Sequence, residues 1–166
     1  PMVVDHTCAI GIFPTKNFST TGEYEPVDKL GVEVQITRNV GFEACNGCPV
    51  GCSQIKLAQK GPYAGILSEG PEFETLFSYG GATGVENIDA VIAADRLADE
   101  FGLDTISSGV TIAFAMELYE KGILSKEDTG GIELNFGNDE AMIAILKQMV
   151  YREGLGGLLA DGSRIA

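Results

Sequence analysis

The sequence contains no tryptophan, one histidine and few basic residues, and each shortage argues against a class of function. A single histidine disfavours both a histidine-based catalytic triad and a histidine-rich metal site. Lysine and arginine total 11 against 24 aspartates and glutamates, which gives a net charge of −13. This acidic balance disfavours nucleic acid and anionic membrane surfaces as partners. No apolar run reaches transmembrane length, so we expect a soluble protein without a membrane partner.

The composition that remains is that of a globular protein. The 166 residues are 45% hydrophobic, with a mean hydropathy of +0.12. A chain of this length forms about one domain and can bury a substantial core. We therefore treat residues 1–166 as a single domain.

Three of the four cysteines lie within eight residues, in the pattern C-x2-C-x3-C formed by Cys45, Cys48 and Cys52. Thiolates this close together can converge on one soft metal centre. Gly47 and Gly51 allow the backbone to turn between them. The motif supplies three ligands where a cubane iron–sulfur cluster takes four, so the fourth ligand lies elsewhere, one iron is open, or the site is not a cluster.

Two other interpretations of the cysteines stay open. Structural zinc is one, with His6 or Cys8 as the fourth ligand. A disulfide with free thiols is the other. A second C-x2-C pair is absent, which weakens the zinc interpretation. The chain is not cysteine-dense and opens with no secretory signal, which weakens the disulfide interpretation.

Hydrophobic periodicity and capping residues predict an all-α, multihelical domain in the second half of the chain. The first predicted helix begins near Pro71, and the other three begin at capping polar residues. Ser125 with Asp128 resembles a capping box. The expected helices span Pro71 to Gly80–Gly81, Asn87 to Gly102, Asp104 or Thr105 to Gly122, and Asn138 to Gly154.

The first half is less regular. Residues 1–25 predict a loop-rich entry segment, residues 44–53 a cysteine loop, and residues 54–70 a connection marked by turns. Val32, Val34 and Ile36 alternate with polar residues as in a strand, but the same stretch also fits a helix. This ambiguity remains at the level of the sequence.

The segment Asp99-Glu100-Phe101-Gly102-Leu103-Asp104 joins two of the predicted helices. Gly102 is placed to end one helix and Asp104 to cap the next, which exposes backbone amides at a helix start. The carboxylates of Asp99 and Asp104 flank the junction and could read a guanidine-like edge such as a pterin amino group. The same residues also suit an ordinary corner between two helices.

A further acidic group consists of Glu69, Glu72 and Glu74. Glu72 and Glu74 are two residues apart, so a helix would place them on different faces. Acidic side chains are common in first helical turns, where most are solvated. Spacing alone assigns them no chemistry.

Four motifs in order give this sequence a resemblance to the aldehyde ferredoxin oxidoreductase family of tungsten or molybdenum pterin enzymes. The resemblance extends over nearly the whole chain and looks like the middle, helical domain of such an enzyme. The motifs are Phe13-Pro14-Thr15-Lys16-Asn17-Phe18, Cys45-x2-Cys48-x3-Cys52, Gly70-Pro71-Glu72-Phe73-Glu74-Thr75 and Asp99-x2-Gly102-Leu103-Asp104.

The resemblance implies a specific chemistry. In the family, a metal held by two pterins oxidises aldehydes to carboxylic acids, and a [4Fe-4S] cluster passes the electrons to ferredoxin. By this resemblance Cys45, Cys48 and Cys52 are cluster ligands. Glu74, with Glu72 as second choice, is a carboxylate near the metal. A reducing cytoplasm is the implied location, and the implied pterin-binding residues are Asp99, Gly102, Leu103 and Asp104.

The chain also departs from the family pattern. The fourth cluster cysteine and the catalytic-site histidine of the family fall downstream of Ala166, and neither Cys8 nor His6 occupies a matching position. We therefore expect an inactive piece excised from a larger enzyme, with the loop at residues 44–53 exposed to solvent or disordered, and without metal. The competing hypotheses are a self-contained iron–sulfur or zinc module for electron transfer, and a helical interaction domain with incidental thiols.

Overall fold

The computed structural model describes residues 2–21 and 27–166. Helices dominate these residues and confirm the predicted multihelical class. A π-helical segment, Leu76–Ala82, continues the fourth helix directly. The helices are α1 (Met2–Ala9), α2 (Val27–Leu30), α3 (Val32–Arg38), α4 (Phe73–Thr75), α5 (Ile88–Phe101), α6 (Thr105–Glu120), α7 (Asp139–Tyr151) and α8 (Gly154–Leu159).

Two small antiparallel sheets, which were not predicted, accompany the helices. Strands β1 (Pro14–Thr15) and β2 (Thr20–Thr21) form a hairpin. The larger sheet has the order β3-β4-β5, and its pairing places Ile55 opposite Glu69. Its strands are β3 (Asn39–Glu43), β4 (Ser53–Leu57) and β5 (Leu67–Glu69).

Helix α5 lies at the centre of the domain and contacts β4, β5, α7 and the π-helical segment. Its predicted boundaries are confirmed. Asn87 accepts a hydrogen bond from the amide of Asp89, and Gly102 ends the helix in the left-handed conformation. Both caps satisfy backbone groups that helix ends leave free. Its predicted apolar face is largely buried, through Ile88, Val91, Ile92 and Ala98.

Several predicted boundaries in the first half are wrong. Residues 2–9 form a helix instead of a loop, because tertiary packing buries Val4 and Thr7 on one side of it. Residues 1 and 22–25 of the predicted entry segment lie outside the described residues. The strand alternative for residues 32–36 is also wrong, since α3 covers them.

Two further predictions need correction. Residues 54–70 contain β4, a 3-10 turn at Gly61–Tyr63 and β5, so they are more than a connection. Helix α7 ends at Tyr151, three residues before the predicted stop, because Arg152 takes the left-handed conformation with φ 54°. Gly154 instead begins α8. Ser125 and Asp128 exchange the expected capping hydrogen bonds, but they do so in a turn.

The π-helical segment packs closely against the turn that follows β1. The amide of Lys16 donates to the carbonyl of Gly81 at 3.0 Å, and the amide of Asn17 donates to that of Ala82 at 2.8 Å. A Cβ at Gly81 would lie 2.3 Å from the Pro14 carbonyl oxygen and 2.4 Å from Cε1 of Phe13. Position 81 therefore has room only for glycine.

Replacing Gly81 with alanine should lower the free energy of unfolding by about 1–3 kcal/mol, because the new methyl group overpacks a rigid backbone contact. Urea denaturation of the 166-residue chain measures the change. Gly41→Ala is the matched control, since its Cβ would meet Ile55 at an ordinary 3.7 Å. Equal stability of the two variants would contradict the packing argument.

Candidate functional site at one end of the three-stranded sheet

The three-stranded sheet brings together the segments singled out in the sequence. The cysteine loop, residues 44–52, joins β3 to β4, so it leaves the sheet where β4 begins. Because β4 and β5 are antiparallel, β5 ends at the same place and continues into residues 70–75, the acidic turn. The carbonyl of Gln54 accepts a hydrogen bond from the amide of Gly70 at 2.9 Å. We call this end of the sheet the site end.

The α5–α6 corner, residues 99–104, approaches the same site end. The Glu69 carboxylate is close enough to Asp99 to raise the pKa of that carboxyl, although burial is the larger cause. The hydroxyl oxygens of Thr75, in α4, and Thr105, the first residue of α6, lie 3.0 Å apart. The acidic turn and the corner are therefore joined directly.

The cysteine loop is exposed. Cys45, Cys48 and Cys52 are free thiols on the surface, which agrees with the exposure expected for this loop. Gly47 takes a left-handed conformation with φ 74°, and the amide of Cys48 donates to the carbonyl of Cys45 at 2.9 Å. The loop thus contains a tight turn between its first two cysteines.

The donor chemistry of this loop suits a soft metal centre, since three free thiols lie within eight residues. The described residues nevertheless contain no group of three or more His, Cys, Asp and Glu side chains arranged to hold a metal ion. Cys8, half-buried in α1, and the exposed His6 are not gathered with the loop cysteines. The alternative of a self-contained four-ligand site gains no support from this arrangement.

The acidic turn has a buried backbone and exposed carboxylates. Gly70 and Pro71 are buried, whereas Glu72 and Glu74 are exposed. Glu72 precedes α4 with an extended backbone, and its carbonyl accepts the Leu76 amide at 3.0 Å. The turn therefore presents two carboxylates to solvent from a fixed support.

The α5–α6 corner has the predicted backbone. Gly102 has φ 66°, and the amide of Leu103 donates to the carbonyl of Ala98 at 2.9 Å. Asp104 caps α6 by accepting the Ser107 amide at 2.7 Å. Hydrogen bonds from Ser107 lower the pKa of Asp104. Asp99 and Asp104 are both exposed at this corner, and Leu103 is half-buried beside them.

Sequence reasoning missed a polar layer beneath these loops. Lys56 points inward from β4 and is 2% exposed, and Asp95 on α5 is 4% exposed. The Ser68 hydroxyl on β5 donates to Asp95 at 2.6 Å. The alternation of Lys56 with Ile55 and Leu57 predicts that the lysine faces solvent, whereas the structure buries it. The one available signal was an aspartate on the apolar face of α5.

A second buried aspartate on α5 has a different partner. Arg38 donates to both carboxylate oxygens of Asp89, at 2.8 and 2.9 Å, and the amide of Gln59 donates to it at 2.7 Å. Despite burial, these hydrogen bonds lower the pKa of Asp89. This pair fixes α3 and the end of β4 against α5.

The chemistry available at the site end is that of thiols and carboxylates. Three thiols could hold a metal cluster, two carboxylates at a helix corner could bind N–H groups, and two more could accept a proton.

No described helix is both long enough and apolar enough to cross a membrane.

Comparison with known proteins identifies the family. The family described as "Aldehyde ferredoxin oxidoreductase, domains 2 & 3" matches residues 1–166. The chain therefore belongs to the aldehyde ferredoxin oxidoreductase family. The resemblance stated from the four motifs is confirmed.

Individual relatives agree with this assignment. A tungsten-containing aldehyde ferredoxin oxidoreductase from Thermococcus kodakarensis is 37% identical over 154 residues, which is 92% of this chain and 25% of that protein. The WOR-like subunit of an aliphatic sulfonate oxidoreductase from Pyrococcus furiosus is 41% identical over 117 residues, which is 70% of this chain and 19% of that subunit. The chain thus spans about a quarter or less of these curated relatives.

A solved structure shares the fold. The active-site complex BamBC of benzoyl coenzyme A reductase, with bound 1,5-dienoyl-CoA, matches with a TM-score of 0.74 at 25% identity. The match covers 97% of this chain and 23% of that one. The fold described above is therefore found as part of a much longer oxidoreductase chain.

Stability should depend on pH through Asp95. Burial raises the pKa of Asp95 from its ordinary 3.8 to about 6. The folded chain therefore keeps this proton where the unfolded chain has lost it, so stability falls as pH rises from about 4 through 6. Asp95→Asn removes this titration.

The measurement is the free energy of unfolding of both proteins at pH 4, 5, 6 and 7. The value for the unsubstituted chain minus that for Asp95→Asn should fall by about 2 kcal/mol over this range. Taking the difference cancels the opposite trend from Asp89. A difference that rises with pH would contradict the prediction.

Proposed function

We propose that this chain is part of a longer tungsten enzyme that oxidises aldehydes to carboxylic acids and passes the electrons through a [4Fe-4S] cluster to ferredoxin. The observation that carries the proposal is the convergence of the cysteine loop, the acidic turn and the α5–α6 corner at the site end. The names of the relatives support tungsten and the aldehyde substrate.

In this proposal Cys45, Cys48 and Cys52 hold the iron–sulfur cluster. Their free, exposed thiols and the turn at Gly47 fit the donor set of such a cluster. The fourth ligand comes from outside residues 1–166. The isolated chain is then a scaffold that neither assembles a complete cluster nor turns over substrate.

The α5–α6 corner binds the pterin. The Asp99 and Asp104 carboxylates accept N–H groups of the pterin ring, and a carboxylate accepting two such bonds matches a guanidine-like edge. The corner faces open space at Gly102, where a Cβ would meet no atom within 4 Å. The half-buried Leu103 would supply an apolar contact to the ring.

The acidic turn supplies a proton acceptor. Converting an aldehyde to a carboxylic acid adds a water oxygen to the carbonyl carbon and releases two protons and two electrons. When bound, the tungsten–pterin group accepts the two electrons. Glu74, with Glu72 as second choice, takes up a proton from the water oxygen. The rigid backbone at Gly70 and Pro71 orients these carboxylates.

The partners follow from this chemistry. Ferredoxin receives the electrons, a small aldehyde is the substrate, and the remaining domains of the same chain complete the site. Thiolate-ligated clusters persist in a reducing cytoplasm, where we place the protein. The net charge of −13 opposes nucleic acid as a partner.

Changing Cys45, Cys48 and Cys52 together to serine in the longer protein should remove the iron and acid-labile sulfide, because alcohols replace the thiolate ligands. Iron, sulfide and the visible absorption spectrum of anaerobically purified protein measure this. Aldehyde-dependent dye reduction should fall by at least about a hundredfold. Cys8→Ser, a half-buried thiol outside the loop, is the control and should keep the iron. Full iron content in the triple variant would overturn the cluster assignment.

Asp99→Asn and Asp104→Asn should each lower pterin and tungsten content by about tenfold, because an amide accepts N–H groups less strongly than a carboxylate. Elemental analysis and pterin fluorescence after oxidation give the two contents. Asp128→Asn serves as the matched control, since Asp128 also caps a turn but lies outside the corner. Unchanged tungsten in both corner variants would refute the pterin role.

A further inference from the structure

Two buried charges at the site end have no role in the proposed chemistry. Lys56 and Asp95 belong to β4 and α5, and both are almost completely buried. Burying a charged group is costly unless nearby groups compensate for it. The contacts of these two side chains show which segments they hold in place.

Asp95 contacts the acidic turn at both of its ends. A Cβ at Gly70 would lie 2.8 Å from Oδ2 of Asp95, so the backbone of the turn rests directly on this carboxylate. At the far end, the Thr75 hydroxyl lies close enough to Asp95 to lower the pKa of its carboxyl, against the larger effect of burial. Ser68, just before the turn, donates to the same oxygen at 2.6 Å. The turn therefore packs on one side against a single buried carboxylate.

Lys56 holds the middle of the turn. Its Nζ donates to the carbonyl of Pro71 at 3.3 Å. Burial lowers the pKa of Lys56, and the negative charges of Glu72 and Asp95 act in the opposite direction. The ammonium group thus lies within electrostatic reach of both Glu72 and Asp95.

The same aspartate also reaches the α5–α6 corner. Asp99 lies one helical turn beyond Asp95 on α5. The Thr75 hydroxyl, which neighbours Asp95, lies 3.0 Å from the hydroxyl of Thr105, and Thr105 follows Asp104 directly. One buried side chain therefore connects the turn that presents Glu72 and Glu74 with the corner that presents Asp99 and Asp104.

We infer that Asp95 is a positioning residue which, together with Lys56, fixes the acidic turn relative to the α5–α6 corner. Asp95 acts on substrate only through the groups it orients. What the two segments do with cofactor and substrate rests on the proposed function, whereas their mechanical coupling does not.

Asp89 provides the matched comparison for this inference. It is an equally buried aspartate on the same helix, at 2% exposure. Its partners are Arg38 and Gln59, outside the turn and the corner. If Asp95 were merely a structural core residue, Asp95→Asn and Asp89→Asn would loosen the domain in the same way.

The first test is amide hydrogen exchange of the 166-residue chain, followed by mass spectrometry. Asp95→Asn should accelerate exchange in residues 70–76 and 99–107 by about tenfold relative to the rest of the chain. Asp89→Asn should accelerate exchange around residues 36–39 and 59–60 instead. Uniform acceleration by Asp95→Asn, or no acceleration at the turn, would overturn the inference.

A milder pair of variants decides the matter if the aspartate substitutions prevent folding. Thr75→Val removes the hydroxyl between Asp95 and Thr105. Thr129→Val, at a buried threonine that bonds only to nearby carbonyls, is the control. Faster exchange confined to the turn and the corner in Thr75→Val alone supports the inference. Identical exchange maps in the two variants contradict it.

The second test uses the longer protein with its cofactors. Asp95→Asn should lower kcat for aldehyde oxidation by about 10–100-fold while KM changes by less than about twofold, because misplaced groups impair chemistry more than binding. Asp89→Asn should leave kcat unchanged at a temperature where the variant is folded. A rise in KM with normal kcat would contradict the positioning role.

The two proposals fail in different ways. If the longer protein oxidises no aldehyde while Asp95→Asn still loosens the turn and the corner together, the proposed function is wrong and the coupling stands. If oxidation is normal in Asp95→Asn and its exchange map is unchanged, the coupling is wrong and the function stands.

Discussion

The contact between the inner face of the three-stranded sheet and helix α5 determines much of this structure. That contact is polar: Lys56 and Ser68 are buried on the inner face of the sheet, and the Ser68 hydroxyl donates to Asp95 on the helix. A shift of one residue in β4 would turn Ile55 and Leu57 toward Asp95 and carry the Lys56 ammonium group away from it. Because an unpaired buried charge costs several kcal/mol, the layer specifies strand register more strictly than apolar packing would.

This polar layer also separates the buried support of the site from the exposed loops above it. Beneath the site end, the buried carboxylates are hydrogen-bonded and the glycine at position 70 leaves no room for a side chain. Above it, the three loop cysteines and Glu72 and Glu74 are exposed. A site built on ordered strands and helices can hold its groups accurately while the loops stay accessible to ligands. The arrangement suits a site that further groups complete.

The parts of the fold that could be predicted are those governed by local rules. Asn87, Gly102, Asp104 and Asn138 cap helices as expected, because capping depends on a few neighbouring residues. The sheet could not be predicted, because the partners of its inward-facing lysine, the Pro71 carbonyl and the charges of Glu72 and Asp95, are about 15 to 40 residues away in sequence. Helix α1 was not predicted for the same reason, since tertiary burial and not its composition stabilises it.

The candidate site shows the same division between local and distant information. Each loop was recognisable, because its motif consists of residues close in sequence. Their convergence depends on antiparallel pairing of β4 with β5 and on the packing of α5, which no motif encodes. The thiols themselves are not gathered around a metal within the described residues. Under the proposed function their final geometry depends on the cluster and its fourth ligand, whereas the carboxylates already have a fixed support. A sequence motif can thus identify candidate ligands. Only the buried polar layer explains why the acidic turn and the α5–α6 corner lie at the same end of the sheet.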